Sequence, residues 1–102
     1  MKAVTINLAR LGIVTRMSIA EEIDDVSVLE ILSEDPSYGV RSKVGGNVFS
    51  SEEILEKLSK DPNWQVRLSV ANNKKTTKAL REKLANDADY EVADATKSNL
   101  KE

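Results

Sequence analysis

The chain writes one pattern three times at a constant interval. Asp61-Pro62-Asn63-Trp64-Gln65-Val66-Arg67-Leu68-Ser69-Val70-Ala71-Asn72-Asn73 is preceded by Asp35-Pro36-Ser37-Tyr38-Gly39-Val40-Arg41-Ser42-Lys43-Val44-Gly45-Gly46-Asn47. It is followed, less faithfully, by Asp87-Ala88-Asp89-Tyr90-Glu91-Val92-Ala93-Asp94-Ala95-Thr96-Lys97-Ser98-Asn99. Asp35, Asp61 and Asp87 stand 26 residues apart (61 − 35 and 87 − 61). A period in this range marks an array whose units bury their apolar faces only against their neighbours. The expected fold is all-α, an α-solenoid of about four short helix pairs in one domain spanning residues 1–102.

The residues within each repeat say how a unit is built. Val28, Leu29, Ile31 and Leu32 share an apolar register with Ile54, Leu55 and Leu58 and with Leu80 and Leu84, so each unit opens with a short helix. Its expected starts are Asp24 and Asp25, the capping box Ser50-x-x-Glu53, and Thr76 and Thr77. Asp35, Asp61 and Asp87 then suit the N-cap of a second helix, with Pro36 and Pro62 at its first position, where a missing N–H costs nothing. Val40, Val66 and Val92 lie one turn before Val44, Val70 and Thr96 and form the buried face, while Gly45 and Ala71 let a neighbouring helix come close. Asn47, Asn73 and Asn99 are expected to leave the helix in the left-handed conformation, and Gly45-Gly46 to end its helix early.

The repeat units fall at 25–47, 51–73 and 76–99. The last carries Ala93, Thr96 and Lys97 where its predecessors carry arginine, valine and a small residue, which reads as a polar cap. Residues 1–24 read as a degenerate N-terminal unit. Over 2–11, Val4, Leu8 and Leu11 keep helical spacing, although Val4, Ile6 and Leu8 also alternate as a strand would. Gly12 suits the end of that segment, and Val14 to Ile23 suit a second helix, which a capping box at Ser18 and Glu21 would start later. Val4, Ile6, Leu8, Leu11 and Ile13 exceed what one helix face buries internally, which raises a homodimer through this end.

Leu-x-Lys-Leu-x-x-Asp-Pro-x-Trp-x-Val-Arg-x-x-Val-Ala-x-Asn, running here from Leu55 to Asn73, resembles the leucine-rich repeat variant family and the wider HEAT-like class of helical repeats. The resemblance covers roughly residues 25 to 99. It implies a right-handed superhelix of paired short helices, one of each pair being 3₁₀ in some units. The founding type of that family carries a cysteine-bound iron–sulfur segment, which a chain without cysteine cannot hold.

Composition narrows the chemistry further. Histidine and cysteine are both absent, which removes the commonest general base, metal ligand and thiolate nucleophile. No Gly-rich phosphate loop, nucleophile elbow or paired-carboxylate motif is present, so the expectation is no enzyme, no cofactor and no metal. The acidic run Glu21, Glu22, Asp24 and Asp25 lacks the glycine and oxygen spacing of a calcium loop and reads as a helix-start charge cluster. Nothing approaches an apolar stretch long enough for a bilayer, and no secretory leader is legible, so a cytoplasmic location is expected by default.

The expected function is a non-catalytic protein–protein interaction module with a curved surface and an unidentified protein partner. Tyr38, Trp64 and Tyr90 occupy one repeat position and form its leading candidate surface, with Gln65 beside them. Arg41 and Arg67 also repeat; they could grip carboxylates or phosphates, or tie adjacent units together through Asp35, Asp61 or Asp87. The alternative function is nucleic-acid binding through Lys74, Lys75, Lys78, Arg81 and Lys83, the only basic cluster. A net charge of −2 disfavours that alternative, as do Glu82, Asp87 and Asp89 nearby.

Overall fold

The computed structural model describes residues 7–100, and every regular element among them is an α-helix. Residues 7–9 are helical, and seven helices follow: α1 (Ile13–Glu22), α2 (Val26–Leu32), α3 (Tyr38–Gly46), α4 (Glu52–Leu58), α5 (Trp64–Asn72), α6 (Lys78–Leu84) and α7 (Tyr90–Leu100). Half of the 2–11 segment, residues 2–6, lies outside the described residues. Beyond it Gly12 precedes α1, which starts well ahead of Ser18.

Short and long helices alternate because each unit carries two kinds of start. At α4 and α6 the capping oxygens belong to Ser51 and Thr77, which accept from the N–H groups of Ile54 and Leu80 at 3.2 Å. The expected Ser50 and Thr76 do something else. Their buried hydroxyls donate to the carbonyls of Val44 and Val70 at 2.7 and 2.6 Å, closing the end of the preceding long helix. Asp25 caps α2, and the Ser27 hydroxyl and N–H that bond to its carboxylate hold it below the usual aspartate range.

The long helices begin two residues later than the Asp-Pro pairs suggest. Ser37 and Asn63 are the N-caps of α3 and α5, accepting from Gly39 and Gln65, and the Asp89 carboxylate accepts from Glu91 and Val92 at the start of α7. Asp35, Asp61 and Asp87 instead accept from the N–H two residues on, at 2.8–2.9 Å, and shape the turn in which Pro36 and Pro62 lie.

Helix ends correct two further expectations. The Gly45-Gly46 pair does not shorten α3, which runs nine residues as α5 does. A Cβ at Gly45 would stand 3.3 Å from Ser69 Cβ and Val70 Cγ2, so the glycine permits a close contact with α5 that holds α3 in place. Asn47 and Asn73 leave their helices extended, with φ of −79° and −76°, not left-handed. Their side chains turn inward because the preceding unit's carbonyls need donors. Asn47 Nδ2 donates to Ala20 and Ile23 at 2.9 and 2.8 Å, and Asn73 Nδ2 to Gly45 and Asn47 at 2.8 and 3.0 Å. Asn99, inside α7, reaches Ala71 in the same way at 2.8 Å.

Each long helix packs on the next, α1 on α3, α3 on α5 and α5 on α7, and each short helix bridges the long helices on either side of it in the chain. The buried layer between them is made by Leu29, Leu32, Leu55 and Leu58 from the short helices and Val40, Val44, Val66, Val70 and Val92 from the long ones. Thr96 belongs to that layer, not to a polar cap: it is fully buried, with its hydroxyl donating to Val92 O at 2.7 Å. The molecule measures 42 × 20 × 17 Å, longest by a factor of two in one direction.

Candidate functional site

Three arginines stitch successive units together. The guanidinium of Arg41 pairs with the Asp61 carboxylate through Nε and Nη2 at 2.8 and 3.3 Å, and that of Arg67 pairs with Asp87 at 2.9 and 3.2 Å. Each also donates through Nη1 to the main chain of its own unit, Arg41 to Asp35 O and Arg67 to Asp61 O. The arginine side chains are only 17% exposed and the aspartates less, so each pair is largely out of water. The two-pronged geometry uses the guanidinium fork fully, leaving little of it for an incoming ligand.

A third pair of the same kind escapes the sequence pattern. Arg16 bonds Asp35 at 2.8 and 3.3 Å and donates to Leu11 O. Arg16 lies 25 residues before Arg41, whereas Arg41 and Arg67 lie 26 apart, so a search at a fixed period steps over it. The signal that would have revealed it is Asp35, an aspartate of the series with no arginine at the regular distance upstream. The series ends at Ala93, where no arginine stands.

The aromatic positions share a place at the first residue of each long helix. Tyr38 is 50% exposed and Tyr90 79%, while Trp64 is half-buried and packs against the core. Neighbouring packed helices lie roughly 8–10 Å apart, which sets the step along the row. Gln65, beside Trp64, is half-buried, and its carbonyl accepts from the hydroxyls of Ser42 and Ser69.

In the basic cluster Lys74, Lys75, Lys78 and Lys83 are exposed, and Arg81 is partly buried. Lys75 and Lys83 share a small hollow between α4 and α6 with Glu52 and Glu56. Arg81 turns inward, donating through Nη2 to Asn73 O at 2.9 Å. Arg81 stands where Leu29 and Leu55 stand in the units before it, and both of those are buried core residues. Its Nε is buried with no hydrogen-bond partner.

A cleft of about 700 Å³ beside α2 is lined by Leu8, Ala9, Glu30, Ile31, Glu34 and Pro36, among others. No group of His, Cys, Asp or Glu among the described residues is arranged to hold a metal ion. Glu21 of the acidic run pairs with Lys43 at 3.3 Å. No helix among the described residues is long and apolar enough to cross a membrane. Comparison with known proteins finds no matching family model, no matching curated protein and no matching solved structure.

Proposed function

We propose that this chain is a non-catalytic protein-interaction module, a short right-handed α-solenoid of the leucine-rich repeat variant or HEAT-like kind, that docks a protein partner along the starts of its long helices. The reading is carried by one observation: tyrosines at the same repeat position, Tyr38 and Tyr90, stand half to four-fifths exposed on a framework whose repeated arginines are already engaged. Tyrosine presents a rigid apolar ring and a polar tip at small entropic cost, which suits it to a docking surface. Trp64, anchored between the two, keeps the row continuous, and Gln65 offers an amide beside it. The 26-residue period and helix-on-next-helix packing support the solenoid.

Arg41 and Arg67 drop out of the contact set and become framework residues. The inward turn of Arg81 and the glutamates beside Lys75 and Lys83 support a protein partner over nucleic acid, with Lys74 and Lys78 left exposed. The absence of histidine and cysteine from the sequence fits a role without chemistry.

The test is affinity capture from the native source with the intact protein and with a Tyr38→Ala/Tyr90→Ala variant, read by mass spectrometry. The proposal expects a protein retained by the parent and lost from the variant, both being equally folded by circular dichroism. Capture of the same proteins by both would overturn the assignment of the surface. Salt-sensitive retention of nucleic acid, abolished by Lys74→Glu/Lys78→Glu, would replace it with the other reading.

A further inference from the structure

The repeat leaves one of its own docking flanks uncovered. α3 rests on α1 through Gly39, which lies against Met17, through Lys43, which pairs with Glu21, and through Asn47, which bonds Ala20 and Ile23. α5 rests on α3 through the corresponding residues: the Gln65 carbonyl and the Ser69 hydroxyl meet Ser42, and Asn73 bonds Gly45. The Arg16–Arg41 correspondence, one residue shorter than the regular period, places Val14, Ser18 and Glu22 at these same three positions in α1. Nothing among the described residues is seen to pack on them. Val14 is 77% exposed, and Thr15, Ser18 and Glu22 are exposed with it.

Val14, Ser18 and Glu22 follow one another at spacings of four and make a single stripe along α1, with Thr15 beside it and the exposed Leu11 just before the helix. Its chemistry is ordered by position. Arg10, exposed, stands just before the helix; small and apolar side chains fill the middle; Glu22 ends it. The sequence pointed to Val4, Ile6, Leu8, Leu11 and Ile13 for self-association. Val4 and Ile6 lie outside the described residues, and Leu8 is buried against the core, which leaves Leu11 and Ile13.

We propose that this flank of α1 docks a second copy of the chain across a two-fold axis, the two α1 helices running antiparallel. An antiparallel pair centred near Arg16 sets Val14 of one copy against Ser18 of the other. It also brings the end of each α1, with Glu22, toward the start of the other, where Arg10 stands just before the helix. The stripe is self-complementary in shape and charge, as an isologous contact requires, and continues the surface by which the helices already stack within one chain. The opposite end differs: among its described residues α7 exposes Glu91, Asp94 and Lys97, a charged flank that does not match the stripe on α1.

Sedimentation velocity on the intact protein, from micromolar to millimolar concentration at low salt, tests the proposal. It does not depend on the aromatic row, and its outcome is separable from partner capture through Tyr38 and Tyr90. The expected result is a reversible dimer whose dissociation constant rises about tenfold or more in Val14→Glu, Arg10→Glu and Glu22→Arg, and returns toward the parent value in the doubly swapped Arg10→Glu/Glu22→Arg. Circular dichroism of each variant establishes that it is folded. A monomer throughout the range, a dimer indifferent to Val14→Glu, a double swap no better than its singles, or a dimer broken by Lys97→Glu on α7 would each overturn it.

Discussion

Two kinds of ion pair coexist here, and burial separates them. Lys57 and Glu34 meet at 3.2 Å but are 42% and 77% exposed, whereas Arg67 and Asp87 meet at 2.9 Å at 17% and 9%. A screened pair of the first kind contributes a few tenths of a kcal/mol, so Lys57→Ala should change stability by less than about 0.5 kcal/mol in urea denaturation. Arg67→Ala strands a nearly buried carboxylate and should cost about 3 kcal/mol in the same measurement. The double variant with Asp87→Ala should recover part of that loss, because the stranded charge is then gone. Arg81 presents the reverse case. It replaces a core leucine and leaves Nε without a partner, while the Asn73 carbonyl it bonds also accepts from Thr76 N–H. Arg81→Leu should therefore stabilise the protein by about 1 kcal/mol, seen as a higher urea midpoint with an unchanged slope.

At the level of the helix, the two neighbouring glycines of α3 differ in what surrounds them. A Cβ at Gly46 meets nothing within 4 Å, whereas at Gly45 it meets Ser69 and Val70 at 3.3 Å and the Val66 carbonyl at 3.4 Å. Gly46→Ala should gain close to 1 kcal/mol from helix propensity alone. Gly45→Ala should fall below it by about 1 kcal/mol or more, because α5 must give way. Thermal unfolding of the two variants side by side measures the tightness of the α3–α5 contact. The helices themselves were legible in the sequence, since leucine and valine at spacings of three and four leave few other ways to bury them. Their edges were not. Ser50, Thr76, Asp35 and Asp61 all look like caps, yet each is drawn to a partner in another element, and the neighbouring Ser51, Thr77, Ser37 and Asn63 cap instead. A local rule cannot see the Arg16 and Arg41 guanidiniums brought in from 19 and 20 residues away, nor choose between two adjacent hydroxyls when the helix end 6 residues back also needs a donor. Asn47 and Asn73 were misread for the same reason, their side chains serving the preceding unit and not their own turn.

Across the whole molecule the same joint recurs: an arginine fork reaching forward to the next aspartate, and an asparagine amide reaching back to the previous helix end. Of the candidate site, the aromatic positions could be named from the sequence, but not that Trp64 is half-buried while Tyr38 and Tyr90 are open, because exposure depends on how neighbouring units meet. Arg16 was hidden by a single missing residue in the first interval. If, as proposed, the units form a solenoid and lean mainly on their neighbours, stability should be lost locally when one joint is cut. The most direct test is amide hydrogen exchange of the Arg67→Ala variant against the parent, resolved along the chain. Protection should fall most in α6 and α7, beyond the broken joint, and be largely kept in α1 to α3. An equal loss of protection along the entire chain would contradict it.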